Sequence, residues 1–329
     1  MRYRLLSKIL AISLTLALVF ATGVPSFAAA IKKPSINARG AIAYCAETGK
    51  VLYSKRANTK YDPLSTTKLL TAYIVMKRGV DLNKTVTISS ETASTPWMSW
   101  YHLRKGEKIK VKYLMYFALL PSENDAAAAL GQAVAGNKKS FAKIMNKEAK
   151  ALGCTNSHFT NAHGCIYKTH KSTAKDMMLI AKAAFRYSFI RKVCGTRSYT
   201  IPKTNKYQKR TVYMTNNFIY YFNKSSYSKY NVKGGKTGTW DYGNAALVEM
   251  SKQSGKTIYT VVFKDSTKYR YTDTKKLINH SKKVLAAQAK EDQDKEDATT
   301  GDTTGGTTGD TAGGTTGGTT GDTTTTTGN

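Results

Sequence analysis

Three short polar clusters have residue types and spacing suited to acyl transfer. In Ser65-Thr66-Thr67-Lys68 a hydroxyl and an amine stand at i and i+3, where apolar residues at helical spacing begin. A helix start there puts Ser65 and Lys68 on one face. A free serine is a weak nucleophile at neutral pH and needs an adjacent base. A buried lysine near other cations can give up its proton and serve as one. Ser122-Glu123-Asn124 follows Leu119-Leu120-Pro121 and precedes an alanine-rich run. Lys236-Thr237-Gly238-Thr239 follows Gly234-Gly235 in an extended segment, and Gly238 lets a peptide ligand approach the strand edge. S-x-x-K or S-x-N alone is weak in a chain rich in Ser and Lys. K-T-G is rarer, and the ordered triplet in fitting local contexts is a strong signal. The bland alternative is a helix-start serine with a solvated lysine, a capping Ser122 and a surface turn at Lys236.

The elements that must position these residues are readable in outline. Ala41 to Ala46 and Lys50 to Ser54 read as two strands around a Glu47-Thr48-Gly49 turn. Leu64 to Met76, Asp125 to Val134, Phe141 to Leu152, Thr173 to Phe185 and Lys275 to Ala287 read as helices. Tyr199 to Ile201, Gly238 to Met250 and Thr257 to Phe263 read as strands. Strands, a long helical middle, strands again and a closing helix imply a sheet whose first and last strands come together beside a helical insertion.

The chain has 329 residues, 51 Lys+Arg and 21 Asp+Glu, for a formal charge of +30. Arg2, Arg4 and Lys8 precede an apolar run, Ile9 to Phe20, which is short for a bilayer span; small residues follow up to Ala30. This predicts a signal peptide over residues 1–30, cleaved after about Ala28 or Ala30, with an uncleaved anchor as the alternative. Residues 31–287 hold no Gly/Pro/Ser-rich linker and read as one domain. Residues 288–329 are acidic, then almost wholly Thr, Gly and Asp, and are expected to be a disordered tail. Leu285 to Asn329 carries eight acids and two bases, so the positive charge is concentrated in the body. The composition excludes a disordered or collagen-like body and a multi-pass membrane protein.

The triplet is the signature of serine β-lactamases and penicillin-binding proteins. The sequence resembles the serine D-Ala-D-Ala carboxypeptidases, the low-molecular-mass penicillin-binding proteins. The resemblance extends to Ala41–Tyr53 as a first strand pair, Phe159-Thr160-Asn161-Ala162-His163-Gly164 and Ser172-Thr173-Ala174-Lys175-Asp176-Met177, and runs from about residue 38 to about residue 284. It implies an α+β, three-layer fold of the β-lactamase/transpeptidase type: a five-stranded antiparallel sheet flanked by helices, plus a helical subregion. It implies that Ser65 is acylated, Lys68 is its base, Ser122 relays a proton to the leaving D-Ala, and Asn124 holds Lys68 and the substrate amide. Lys236 sets the positive potential, Thr237 and Thr239 meet the substrate carboxylate, and the N–H groups of Ser65 and Thr239 form the oxyanion hole. No metal or other cofactor is implied. The partners implied are peptidoglycan stem peptides ending in D-Ala-D-Ala, with β-lactams as covalent inhibitors.

Several residues depart from the family pattern. Lys233 stands where Asp is common and adds charge at the cleft, Trp240 where Thr is common, Asn244 where Gly is. Glu123 replaces Gly and places a carboxylate near the site, and Cys165 replaces Leu after His163-Gly164. The core triplet is intact. A class A β-lactamase is disfavoured because no E-x-x-x-N pattern lies between Glu148 and Lys236. A slow or non-catalytic wall-bound binder of β-lactams or muropeptides is the alternative reading. The five histidines make no zinc spacing, and His163 is expected to stabilise a turn. Cys45, Cys154, Cys165 and Cys194 allow three pairings in a secreted chain, with Cys154–Cys165 favoured and free thiols the alternative. Trp97, Trp100 and Tyr101 are either cleft lining or core. The basic body and secretory address predict anionic wall polymers or a membrane surface as partners, with nucleic acid disfavoured.

Overall fold

The computed structural model describes residues 31–95 and 100–300. Five antiparallel strands form the main sheet: β1 (Gly40–Cys45), β2 (Val51–Lys55), β7 (Val232–Asp241), β8 (Asn244–Gln253) and β9 (Lys256–Asp265), in the order β2-β1-β9-β8-β7. The first strand is hydrogen-bonded to the last, Ile42 opposite Val261, as the element order implied. Side chains alternate across the sheet. Ile42, Ala246, Val248, Tyr259, Val261 and Phe263 face the helical core, while Ala41, Ala43, Leu247, Ile258 and Val262 face a second core with Leu277 and Ile278.

Between β2 and β7 lies the helical region. A 3₁₀ turn, Leu64–Thr67, runs directly into α1 (Lys68–Lys77). After β3 (Thr85–Thr87) and the short α2 (Ser90–Ala93), β4 (Lys108–Lys110) pairs with β3 and leads into α3 (Val111–Leu119). Then follow α4 (Asn124–Ala135), α5 (Lys138–Ala151), α6 (Ala174–Ala184) and α7 (Ser188–Cys194). A second hairpin joins β5 (Ser198–Ile201) to β6 (Arg210–Tyr213), before the short α8 (Asn217–Tyr220) and α9 (Ser225–Ser228). The Ser172–Met177 motif is a capped helix start. Thr173 Oγ1 accepts the Asp176 N–H (3.0 Å), and Asp176 Oδ2 in turn accepts from Ser157 Oγ (2.7 Å) and the Asn156 N–H (2.9 Å).

Two expectations are corrected. Gly238 to Met250 is not one strand but the hairpin β7–β8, turning at Tyr242-Gly243 with Asp241 opposite Asn244. The turn is written in the sequence as Asp241-Tyr242-Gly243-Asn244, with the Gly243 N–H donating to Asp241 Oδ1 (2.9 Å), but the two strands it joins are each buried on both faces and their apolar character dominates the segment. The last helix, α10 (Arg270–Thr300), does not end near Ala287. Beyond Gln288, where the chain divides into a first unit and a small second one, the acidic stretch expected to be disordered stays helical to residue 300. Its i,i+4 pairs, Lys295 Nζ to Glu291 (3.2 Å) and Gln293 Nε2 to Asp297 (2.9 Å), supply the local support that an apolar-residue count overlooks. The signal segment, residues 301–329 and Trp97 lie outside the described residues.

Candidate active site

Ser65 is the second residue of the 3₁₀ turn and Lys68 the first of α1, so the i,i+3 spacing becomes a contact. Lys68 is 1% exposed, and its Nζ donates to Ser65 Oγ (2.9 Å), Asn124 Oδ1 (2.7 Å) and the His163 carbonyl (2.8 Å). Burial pulls its pKa down to about 7, against the raising influence of Cys165, Glu123 and Asp125.

The preceding backbone is strained. Leu64 has φ +52° and Ser122 φ +71°, both left-handed without being glycine. Leu64 is held between two glycines: a Cβ on Gly164 would lie 1.8 Å from the Leu64 carbonyl oxygen, and one on Gly238 2.8 Å from Leu64 Cβ. Gly164 is fixed in turn by Asn161, whose Oδ1 accepts the N–H groups of Gly164 (2.7 Å) and His163 (3.2 Å). The F-x-N-x-H-G segment thus builds the loop that offers Lys68 a carbonyl. His163 Nδ1 accepts from the Cys165 N–H (3.3 Å), the turn-stabilising role expected of it.

Across the cleft, Lys236 is fully buried and its Nζ donates to Ser122 Oγ (2.9 Å) and the Thr237 carbonyl (3.0 Å). Burial, then the nearby Lys68, depress its pKa too. A carboxylate entering the cleft favours the charged form. Thr237 Oγ1 lies 2.7 Å from Thr215 Oγ1, and Arg270 Nη1 donates to Thr239 Oγ1 (2.7 Å) and the Gly238 carbonyl (3.1 Å). Ser65, Ser122, Asn124, Thr237 and Thr239 line one cavity of about 260 Å³, together with Arg270, Thr215, Cys165, Trp100 and Trp240. All eight motif residues therefore meet: six through these side chains, Gly238 through its carbonyl and its missing side chain, and Lys236 as the buried amine beneath.

Some details differ from expectation. Glu123 does not line the cavity; its Oε1 accepts the Trp100 N–H (2.8 Å), though its charge still reaches Lys68. Lys233 is exposed and also absent from the lining. None of the four cysteines is in a disulfide. Cys154 Sγ donates to the Asp176 carbonyl (3.4 Å) while Cys165 accepts from Asn124 Nδ2 (3.4 Å), so the two point to different neighbours and are not paired. Trp100 is a cleft residue, whereas Tyr101 donates to the Thr211 carbonyl (2.9 Å) and packs on Phe117. Arg270 and Thr215 were not anticipated. No spacing in the sequence ties them to K-T-G, since sheet and helix packing alone bring them there.

The fold and this cleft define a serine acyl-transfer enzyme of the penicillin-recognising kind, and comparison with known proteins is consistent with that. The chain belongs to the D-alanyl-D-alanine carboxypeptidase family, peptidase family S11, whose profile matches residues 27–267. It is 34% identical over 269 residues to a D-alanyl-D-alanine carboxypeptidase of Streptomyces sp. strain K15, covering 77% of this chain and 90% of that one. It is 33% identical over 236 residues to D-alanyl-D-alanine carboxypeptidase DacF of Bacillus subtilis strain 168, covering 70% of this chain and 58% of the relative. The crystal structure of the Streptomyces K15 DD-transpeptidase matches with a TM-score of 0.68 at 33% identity, over 76% of this chain and 99% of that one.

Proposed function

We propose that this chain is a secreted D,D-carboxypeptidase that removes the terminal D-Ala from peptidoglycan stem peptides through an acyl-enzyme on Ser65. One observation carries the reading: a buried lysine amine, its pKa near neutrality, is hydrogen-bonded to a serine hydroxyl at the mouth of a cleft. Lys68 in its neutral form takes the Ser65 proton as Oγ attacks the carbonyl carbon of the penultimate D-Ala. The N–H groups of Ser65 and Thr239 receive the oxyanion. Ser122, bonded to Lys236, gives its proton to the departing amine and takes a replacement from the Lys68 ammonium, so that C–N cleavage releases D-Ala and leaves Lys68 neutral. Water then attacks the ester, its proton returning through Lys68, and Ser65 is regenerated. Lys236, Arg270, Thr237 and Thr239 give the substrate's terminal carboxylate a cationic, hydroxyl-lined seat.

The secretory address of residues 1–30 and the basic body support a location outside the cytoplasm, in contact with anionic wall material. The test is release of D-Ala from a diacetylated Lys-D-Ala-D-Ala peptide, run beside fluorescent penicillin labelling. Wild type should do both. Ser65→Ala should do neither, with its circular dichroism unchanged. Labelling without D-Ala release identifies the slow binder instead, and labelling of Ser65→Ala at the wild-type rate removes Ser65 as the nucleophile.

A further inference from the structure

The two small hairpins are locked together by one buried acid. Glu107 is fully buried; its Oε1 accepts from Arg210 Nη2 and from Thr204 Oγ1 (3.0 Å), its Oε2 from the Arg104 N–H (3.2 Å). Asn205 adds two bonds, accepting the Lys108 N–H (2.8 Å) and donating to the Gly106 carbonyl (2.9 Å). The guanidinium groups of Arg104 and Arg210 lie 4.5 and 4.2 Å from the centre of the Tyr207 ring. The bases on this frame point outward. Lys108 and Lys110 alternate with buried Ile109, and Arg104, Lys105, Lys203, Lys206 and Lys209 are also exposed. Residues 104–112 and 203–210 contain no acid besides Glu107, whose charge Arg210 neutralises internally. The frame adjoins the cleft: Arg210 Nη1 donates to the Tyr101 carbonyl (3.2 Å), next to Trp100 in the cavity wall.

We propose that the β3–β4 and β5–β6 hairpins form a preorganised basic platform at the mouth of the cleft, and that it binds a linear polyol-phosphate polymer of the cell wall. The inference rests on the reading of the chain as a secreted wall enzyme, and it names the partner that the overall charge leaves open. The chemistry selects the polymer. Insertion into a membrane surface draws on a cluster of exposed apolar side chains; residues 104–112 and 203–210, which carry the bases, expose no large one, and the exposed rings of the hairpins, Trp100 and Tyr213, stand outside those two segments. Single-stranded nucleic acid binders offer aromatic faces for base stacking, whereas Tyr207, the ring set among the bases of residues 104–112 and 203–210, is already covered by guanidinium groups. Exposed bases on a rigid frame suit a chain of repeated phosphodiesters without nucleobases, by many ion pairs that release counterions.

The test measures binding of the full secreted chain to poly(glycerol phosphate) across a salt series, with D-Ala release followed separately. Replacing Lys105, Lys108, Lys206 and Lys209 by Gln should weaken binding at least tenfold. The slope of log affinity against log salt should become shallower by about 3, roughly 0.7 for each phosphate no longer neutralised. The same four positions changed to Arg should bind like wild type. As a charge-matched control, Lys139, Lys143, Lys147 and Lys150, exposed along α5, are changed to Gln; this should alter affinity less than twofold. Small-peptide turnover should stay within twofold in every variant, so a failed polymer experiment is separable from a failed peptidase reading. Equal weakening by the α5 control would show that net charge alone binds and overturn the proposal. Tighter wild-type binding to anionic vesicles or to single-stranded DNA than to the polymer would overturn it as well.

Discussion

Burying Lys68 to 1% exposure strips its ammonium of hydration, and the proton equilibrium moves from the ordinary lysine range to about 7. The three acceptors around Nζ hold the amine against Ser65, so the base is both positioned and available at neutral pH. The sign of the pH dependence follows. Only the unprotonated amine accepts the serine proton, and its fraction drops to about 10% at pH 6 and about 1% at pH 5. The second-order rate of penicillin labelling should therefore fall about fivefold from pH 7 to pH 6 and close to tenfold from pH 6 to pH 5, at constant ionic strength, while the protein stays folded. A flat profile from pH 5 to 8 would remove Lys68 as the base. Lys68→Arg, which keeps the cation but cannot deprotonate, should lose labelling at least a thousandfold at every pH; near-wild-type labelling by this variant would be equally damaging.

At the scale of elements, the helices that carry S-x-x-K and follow S-x-N were legible to within a few residues, because apolar spacing and alanine content signal them directly. The expected Asp125 to Val134 is Asn124–Ala135, and Thr173 to Phe185 is Ala174–Ala184. The β7–β8 hairpin was missed although Asp241, Gly243 and Asn244 mark a turn, because the strands on either side are buried on both faces and read as one continuous extended segment. The motif residues of the site were legible because the acyl-transfer chemistry fixes their types and order. Arg270 and Thr215 were not, because their approach to Thr239 and Thr237 is made by tertiary packing across 31 and 22 residues of chain. Gly164 shows how elements constrain each other. Its φ of +91° and the Leu64 carbonyl 1.8 Å from any Cβ leave room only for hydrogen, and through Leu64 it fixes the turn bearing Ser65. Gly164→Ala combines backbone strain with overpacking and should cost about 3 kcal/mol or more, a fall in Tm of roughly 6–12 °C, and should slow labelling. Gly136→Ala is the matched control: φ is +79° but nothing lies within 4 Å, so a smaller loss of about 1 kcal/mol and unchanged labelling are expected. Equal effects of the two in differential scanning calorimetry would show that the contact with Leu64 is unimportant.

Over the whole body, the sheet closes by bringing residues more than 200 positions apart into contact, and a buried acid, Asp273, ties that closure while a second, Asp265, lies beside it. Asp273 at the start of α10 is fully buried and its Oδ2 accepts the N–H groups of Asn37 (2.5 Å) and Ala38 (2.9 Å), just before β1. Asp265, at the end of β9, is nearly as buried. Desolvation first, then the charge of Asp273, raise its pKa to about 7, with Arg270 offsetting part of the rise. An Asp in the unfolded chain titrates near 3.9, so between about pH 4 and pH 7 the folded state holds a proton that the unfolded state has lost. Stability from this group therefore declines as pH rises through that window, and the whole penalty is present above about pH 7. Asp265→Asn keeps the shape and removes the titration. It should stabilise the protein more at pH 8 than at pH 5, by a difference on the order of 1 kcal/mol or more in urea unfolding at matched ionic strength. If the variant shifts both pH values equally, or destabilises more at pH 8, Asp265 is already ionised at neutral pH and the two acids do not share the buried site in the way described.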